Sequence, residues 1–353
     1  MRKIARIFMY QFQQFLSEKL YNTLPRELSI PFSKTLIYGP PKSGKTSLAL
    51  DYITSLNISS KKIVYLDCQD PRVQIEEAKS ELLRLFLEKK IEFLILDSYS
   101  PTFSLPNLPS ILLISPTPLS LPSFSLLKTR NLSFAEYVSF DRKNSSIPTL
   151  LKNFIKDGNL PQIPFLAEFQ KIKIKQENLK IALEENYPLL CKLASFSSSK
   201  LTTNQFYSIL KKERKISKDR LYEFWERMGS EGIMISIPHI QESKNKKIYF
   251  YDFSLPKTLS PQSTILQILE NMFVLELLIF LEKKGDTLAY DDQNFFITQN
   301  NGVFFFAPFA HQDFIAQKLS KSPYSQVRII TLEKDWEMDG VYDFVEFSLG
   351  EIE

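Results

Sequence analysis

The stretch Gly39-Pro40-Pro41-Lys42-Ser43-Gly44-Lys45-Thr46 satisfies every fixed position of the phosphate-loop pattern G-x-x-x-x-G-K-[ST]. The apolar run Thr35-Leu36-Ile37-Tyr38 before it reads as a strand entering the loop, and Ser47 to Leu56 reads as a helix leaving it. Set between a strand and a helix N-terminus, such a loop turns backbone N–H groups toward anionic oxygens. On this pattern Gly39, Pro40, Pro41, Lys42, Ser43, Gly44, Lys45, Thr46 and Ser47 bind a nucleotide, read as ATP, with the Lys45 ammonium against its β and γ phosphates and the Thr46 hydroxyl on Mg²⁺. The competing reading is an ordinary glycine turn that fits by coincidence, which a chain with 9 glycines seldom produces.

Further along, Lys61 to Asp67 reads as a second strand and Val73 to Lys90 as an amphipathic helix rich in Leu and Glu. Phe93-Leu94-Ile95-Leu96-Asp97 then reads as a buried strand with an acid at its C-terminal edge, the layout of a Walker B segment. Asp97 is thereby a second Mg²⁺ candidate, opposite Thr46. Alone, a strand ending in Asp reads equally well as a plain turn; its position after loop, strand and helix favours the metal role. Six prolines between Pro101 and Pro122 exclude regular helix there, leaving loop, short strand (Ile111 to Ser115) and loop. Ser115 and Thr117 are either polar residues of that proline loop or groups that sense the γ-phosphate.

The whole chain has 353 residues, room for two or three domains, and its 44% hydrophobic and 24% charged content is that of a soluble globular protein. No run of about eighteen apolar residues offers a membrane span. The basic start Met1-Arg2-Lys3 lacks the apolar core and cleavage site of a signal peptide, so the expected location is cytoplasmic. Cys68 and Cys191 cannot make a disulfide framework, and with His239 and His311 they form no zinc spacing; both are expected as buried thiols. The net charge of +4 conceals a division: residues 196–256 carry eleven Lys/Arg against seven Asp/Glu, and residues 257–353 carry seven against fifteen. A nucleic acid would therefore meet the front or middle of the chain and not its acidic end.

Residues 3–25 carry Ile7, Phe8, Phe12, Phe15, Leu16 and Leu20 at helical spacing and end at Pro25. Residues 150–195 are helical in period, with Leu160-Pro161-Gln162-Ile163-Pro164 as an internal turn; the alternating run Lys171 to Lys175 is expected as a solvated helix face, and Ser195 to Ser199 as a linker. Then come a helix (Asn204 to Lys212), a second helix (Lys218 to Met228) capped by Ser217, and two short strands flanking residues 241–246. That is a winged helix in outline, in which Lys218 and Arg220 begin the recognition helix and Lys244, Lys246 and Lys247 reach DNA phosphates from the wing. The plainer reading is a winged helix that packs on its neighbours and whose exposed lysines meet only water. The last segment reads as an apolar helix (Ser263 to Lys284, with Glu270 and Glu276 in it), a hairpin turning at Asn300-Asn301-Gly302, a helix (Gln312 to Leu319) and a strand (Val327 to Leu332).

Lys128-Thr129-Arg130, Leu132-Ser133-Phe134-Ala135-Glu136-Tyr137, and Leu151 to Gly158 with Pro161 complete a series that resembles the archaeal-ATPase-like group of AAA-superfamily ATPases. Members of that group show an arginine before an L-S-F-x-E-[FY] segment and later a Y-L-x-x-G-G-x-P-like turn. The resemblance implies a P-loop α/β domain with a parallel sheet (1–149), a helical lid (150–195), a winged helix (196–256) and a small α/β domain with a restriction-endonuclease-like core (257–353). It also implies that Arg130 lies near the nucleotide, beside Lys45 and Asp97 in the catalytic set, and that Glu136 is a structural landmark. Ser98 stands where hydrolytic members carry a water-orienting glutamate, a proline loop replaces the helix after Asp97, and Asn159 replaces the second glycine of the late turn. Val303 to Pro308 lacks the acids and lysine of a working nuclease, so the end domain is expected as a non-cutting form that engages a protein partner. Two expectations follow: a slow Mg-dependent ATPase or ATP-driven switch, or a non-hydrolysing P-loop scaffold for DNA or protein.

Overall fold

The computed structural model describes residues 26–56, 58–242 and 244–350; the helix expected over residues 3–25 lies outside the described residues. The chain parts after Arg130 into two compact units.

The first unit is a parallel sheet between helices. Strand β1 (Lys34–Tyr38) leads into the glycine loop and helix α1 (Lys45–Ser55); β2 (Ile63–Asp67), helix α2 (Ile75–Leu87), β3 (Phe93–Asp97), β4 (Ser110–Ser115) and β5 (Ser125–Lys128) follow. The five strands lie in the order β2-β3-β4-β1-β5, with every pair parallel. Both faces are covered, which is why the inner strands read as nearly unbroken apolar runs. Ile37, Tyr65, Ile95 and Ile114 face α1 through Leu48, Ala49, Leu50 and Ile53. Leu36, Leu66, Leu94, Leu96 and Leu113 face α2 through Ala78 and Leu82. Each of these leucines, removed from water, contributes about 1.5–3 kcal/mol. Strand β5 is not legible in the sequence because Ser125-Leu126-Leu127-Lys128 is short and half exposed and carries no apolar run, whereas β2, at the other edge, is buried. Helix α2 is shorter than the expected Val73 to Lys90, and Lys89 beyond its end turns to φ 54°.

The second unit opens with helices α3 (Phe134–Ser139), α4 (Ile147–Asp157), α5 (Glu168–Leu183) and α6 (Tyr187–Ala194), followed by α7 (Thr203–Glu213), α8 (Lys218–Ser230) and the antiparallel pair β6 (Met234–Pro238) and β7 (Lys246–Phe250). Ser133 and Glu136 form a capping box at α3, and Glu276 adds a third bond by accepting the Phe134 N–H at 2.7 Å. A short helix α9 (Leu255–Leu259) and the long α10 (Ile265–Lys284) lead to β8 (Leu288–Tyr290), β9 (Phe296–Thr298), β10 (Val303–Phe306), α11 (Gln312–Ser320), β11 (Arg328–Thr331), β12 (Val341–Asp343) and α12 (Phe344–Ser348). These last strands make a mixed sheet in the order β12-β11-β10-β9-β8. Asn301, at φ 64°, makes the expected turn between β9 and β10. Strands β8 and β12 have three residues each, too few for a period to be read.

Two expectations about this unit are corrected. Ser195 to Ser199 is no open linker: Ser197 is buried with its hydroxyl on Asn271, and the Ser198 N–H bonds the Ile248 carbonyl. One apolar core runs across it, from Leu179, Leu190 and Leu193 to Phe206, Leu221, Phe224, Ile248 and Phe250. Nor is Lys171 to Lys175 a solvated face throughout. Lys173 is exposed, but Lys171 is bonded to Asp157 and Glu168, and Lys175, only 3% exposed, is ion-paired with Asp252 at 3.0 Å.

A candidate nucleotide site

The loop after β1 owes its shape to two glycines and a buttress. Gly39 has φ 142°, and a Cβ there would stand 2.6 Å from Thr129 Oγ1 and 2.7 Å from its carbonyl oxygen. Gly44, at φ 90°, turns the chain into α1. Thr129, directly after β5, donates its N–H to the Tyr38 carbonyl at 2.7 Å and shares a hydroxyl contact of 2.7 Å with Ser43, whose own hydroxyl bonds the Pro40 carbonyl. Arg26 clasps the outside, donating to the carbonyls of Ser43 (3.1 Å) and Arg130 (2.8 Å). Sequence shows Thr129 only as the middle of Lys128-Thr129-Arg130, with no buttressing role, and gives no sign of Arg26, since an arginine in a loop carries no local pattern.

Lys45 opens α1 and folds back over the loop, its ammonium donating to the carbonyls of Gly39 (2.7 Å) and Pro40 (2.8 Å). The amides of a helix's first turn lack partners within the helix, so they and this ammonium supply donors for anionic oxygens. Ser47 is exposed in that turn and Lys42 is exposed on the loop with φ 61°. Thr46 is fixed differently: its hydroxyl donates to Asp97 Oδ2 at 2.8 Å. Thr46 and Asp97, 51 residues apart, thus meet because β3 ends and α1 begins at the same edge of the sheet.

Asp97 also accepts from the Tyr65 hydroxyl at 3.0 Å and from the Ser98 N–H at 2.8 Å. Burial raises its carboxyl above the usual carboxylate range; the Thr46 bond opposes the rise, the charge of Asp67 adds to it, and the bonds from Tyr65 and Ser98 oppose it. The same surroundings push the Cys68 thiol up to about 12, through burial first and then the charges of Asp67 and Asp97. Ser98 has φ 56°. Ser115 pairs with Tyr38 in the parallel register and is buried on the α2 side of the sheet, while its hydroxyl accepts from the Thr117 N–H at 3.3 Å. Arg130 follows the Thr129 buttress and is ion-paired with Glu27 at 3.0 Å.

The first unit therefore has a P-loop α/β fold. No family model and no curated protein matches the chain. Among solved structures it is similar to a Walker-type ATPase of Pyrococcus abyssi, at 13% identity over 70% of this chain and 94% of that one, with a TM-score of 0.43. It is also similar to the Aeropyrum pernix ORC1 protein in complex with DNA, at 13% identity over 77% of this chain and 94% of that one, with a TM-score of 0.28. Drosophila ORC bound to AT-rich DNA and Cdc6 follows, at 11% identity over 69% of this chain and 89% of that one, with a TM-score of 0.17. Strand order and loop geometry, rather than these likenesses, establish the fold.

The donor set suits a magnesium nucleotide: an ammonium and helix amides for phosphate oxygens, and a hydroxyl and a carboxylate, both hard oxygen ligands, for Mg²⁺. The candidate DNA contacts fare unevenly. Lys218 and Arg220 are exposed in the first turn of α8, where Ser217 caps the helix through the Arg220 N–H and Arg220 pairs with Glu185 at 3.4 Å. Lys244 and Lys246 are exposed beside the β6–β7 turn. Lys247 is not available to a phosphate: 5% exposed, it is bonded to Glu270 at 2.9 Å and sits over the Tyr290 ring. Alternation along β7 turns it inward, which the sequence could show only with the register known. Among the described residues, no helix is long and apolar enough to cross a membrane.

Proposed function

We propose that the chain is an ATP-binding protein of the AAA type, in which MgATP held by Gly39 to Thr46 sets a switch that slow hydrolysis resets. The observation that carries this is the bond from Thr46 to Asp97 at the mouth of a loop whose Lys45 is already aimed along it. Bound Mg²⁺ would supply charge neutralisation between the β and γ phosphates, with Thr46 and Asp97 as its protein ligands. Lys45, whose ammonium lies on the carbonyls of Gly39 and Pro40, would reach the phosphate oxygens held by the loop. In this reading Arg130 serves the loop from behind through Arg26 and Glu27.

The second unit is the switch's output: a helical lid, a winged helix built on α7, α8 and the β6–β7 pair, and an acidic end domain for a protein partner. Lys218, Arg220, Lys244 and Lys246 are its DNA-facing cations. A mobility-shift titration at increasing salt should show affinity falling steeply as phosphate counterions are retained, and flat salt dependence removes the DNA part. A second reading, a scaffold that binds ATP without turnover, is favoured by Ser98 in place of a water-orienting acid. Nucleotide binding and phosphate release measured together on wild type and Lys45→Ala separate these. The switch predicts binding and slow release in wild type, with both lost in the variant; the scaffold predicts binding alone; equal behaviour of the two proteins removes the nucleotide site.

A further inference from the structure

Position 98 offers no base, but the strand beside it does. Asp67 ends β2 as Asp97 ends β3, and the two are direct partners in the parallel register. Register partners on parallel strands project to the same face, and here that face is the one covered by α1. Ile63 and Tyr65 precede Asp67 at alternate positions and pack with Phe93, Ile95 and the α1 residues Leu48 to Ile53. Tyr65, two residues before Asp67, reaches Asp97, and Asp97 reaches Thr46, so the three groups form one continuous line toward the loop. Asp67 is half-buried, with Oδ1 held by the Gln69 N–H at 2.9 Å.

We propose that Asp67 is the carboxylate that activates the attacking water at this site, in place of the acid that Ser98 lacks; this rests on the reading of Gly39 to Thr46 as an ATP site. Asp97 is engaged by Thr46, Tyr65 and the Ser98 N–H, and the Ser98 hydroxyl cannot take up a proton at neutral pH. In-line displacement needs the nucleophile opposite the leaving oxygen. The loop holds the leaving diphosphate, and the strand order β2-β3-β4-β1 puts Asp67 on the far side of Asp97 from that loop. Adjacent strands lie about 4.8 Å apart, so Asp67 stands one strand spacing from Asp97 at the same edge of the sheet. Water attacks the γ-phosphorus and forms the new P–O bond while its proton passes to Asp67. The bond to the β–γ bridging oxygen breaks with its electron pair on ADP, and Asp67 returns the proton to solvent.

The test uses the full chain with ATP and Mg²⁺. Asp67→Asn, nearly isosteric, is expected to lower phosphate release about 100-fold or more while ATP affinity changes less than about threefold, as for loss of a general base. Asp67→Glu, which keeps a carboxylate, is expected to retain release within about tenfold of wild type. A merely structural role would lower both variants together with their melting temperatures, and that result overturns the assignment. Release by Asp67→Asn within about threefold of wild type overturns it also, leaving the ATP site intact, as does a wild-type protein that binds MgATP and releases no phosphate. Absence of ATP binding in wild type instead defeats the nucleotide site itself.

Discussion

At Gly39 the loop meets Thr129 so closely that only hydrogen fits: the nearest contacts of an added Cβ include the Thr129 carbonyl at 2.7 Å, a backbone atom that cannot rotate away. Its φ of 142° adds a backbone strain that side chains seldom tolerate. Gly39→Ala is therefore expected to destabilise the protein by about 1–3 kcal/mol, and to weaken nucleotide binding with it, because the same shift displaces the carbonyl that holds Lys45. Chemical denaturation and a nucleotide titration check the two effects, and an unchanged denaturation midpoint would show that the loop yields freely. The motif, by its residue types alone, identifies Gly39, Lys45 and Thr46; the reason Gly39 must be glycine lies at Thr129, 90 residues away, and no pattern carries that contact.

Among the elements, α5 shows most clearly how a side chain's role depends on its surroundings. Lys175 enters the unit's interior, where its ammonium contacts the Asp157 carbonyl and the Ser254 hydroxyl and pairs with Asp252, which is wholly buried. Gly158, at φ 83°, makes room for this cluster: a Cβ there would strike Asp252, Ser254 and Lys175. Removing one partner of a buried ion pair leaves an uncompensated charge. Lys175→Met is therefore expected to cost about 3–5 kcal/mol, and the double variant Lys175→Met with Asp252→Leu to recover much of it. Denaturation midpoints decide: additive losses would mean that the pair is not coupled. In sequence, Lys171 to Lys175 is a row of alternating lysines indistinguishable from a surface stripe. The partners that draw Lys175 inside come from residues 157, 252 and 254, brought together only by packing.

Across the whole molecule, buried tyrosines set the alkaline limit of stability. Burial, with the nearby Asp157 charge, pushes the Tyr137 hydroxyl up to about 12, and burial with acidic neighbours raises Tyr249 and Tyr251 further still. A group whose pKa is raised by folding gives stability that is complete below its unfolded value, about 10 for tyrosine, and is lost as pH rises through the folded value. Stability is accordingly expected to fall between about pH 10 and 12, with part of the tyrosinate absorbance at 295 nm appearing only as circular dichroism is lost. Full ionisation with the fold intact would contradict this.

The sequence by itself determined the strand–loop–helix at Gly39 to Thr46, the parallel α/β class of the first unit, Asp97 as the acid facing the loop, and helices α1, α2, α7, α8, α10 and α11 in their order. These are local quantities: a fixed motif, runs of apolar residues, caps and turns. Only the tertiary structure decided that β5 adds an edge to the sheet, that Ser195 to Ser199 is packed rather than a linker, that Lys175 and Lys247 are buried, and that Asp67 stands beside Asp97. Each of these depends on strand register or on partners far away in the chain. A side chain's solvation is set by what is packed against it, and that choice is made when the chain folds.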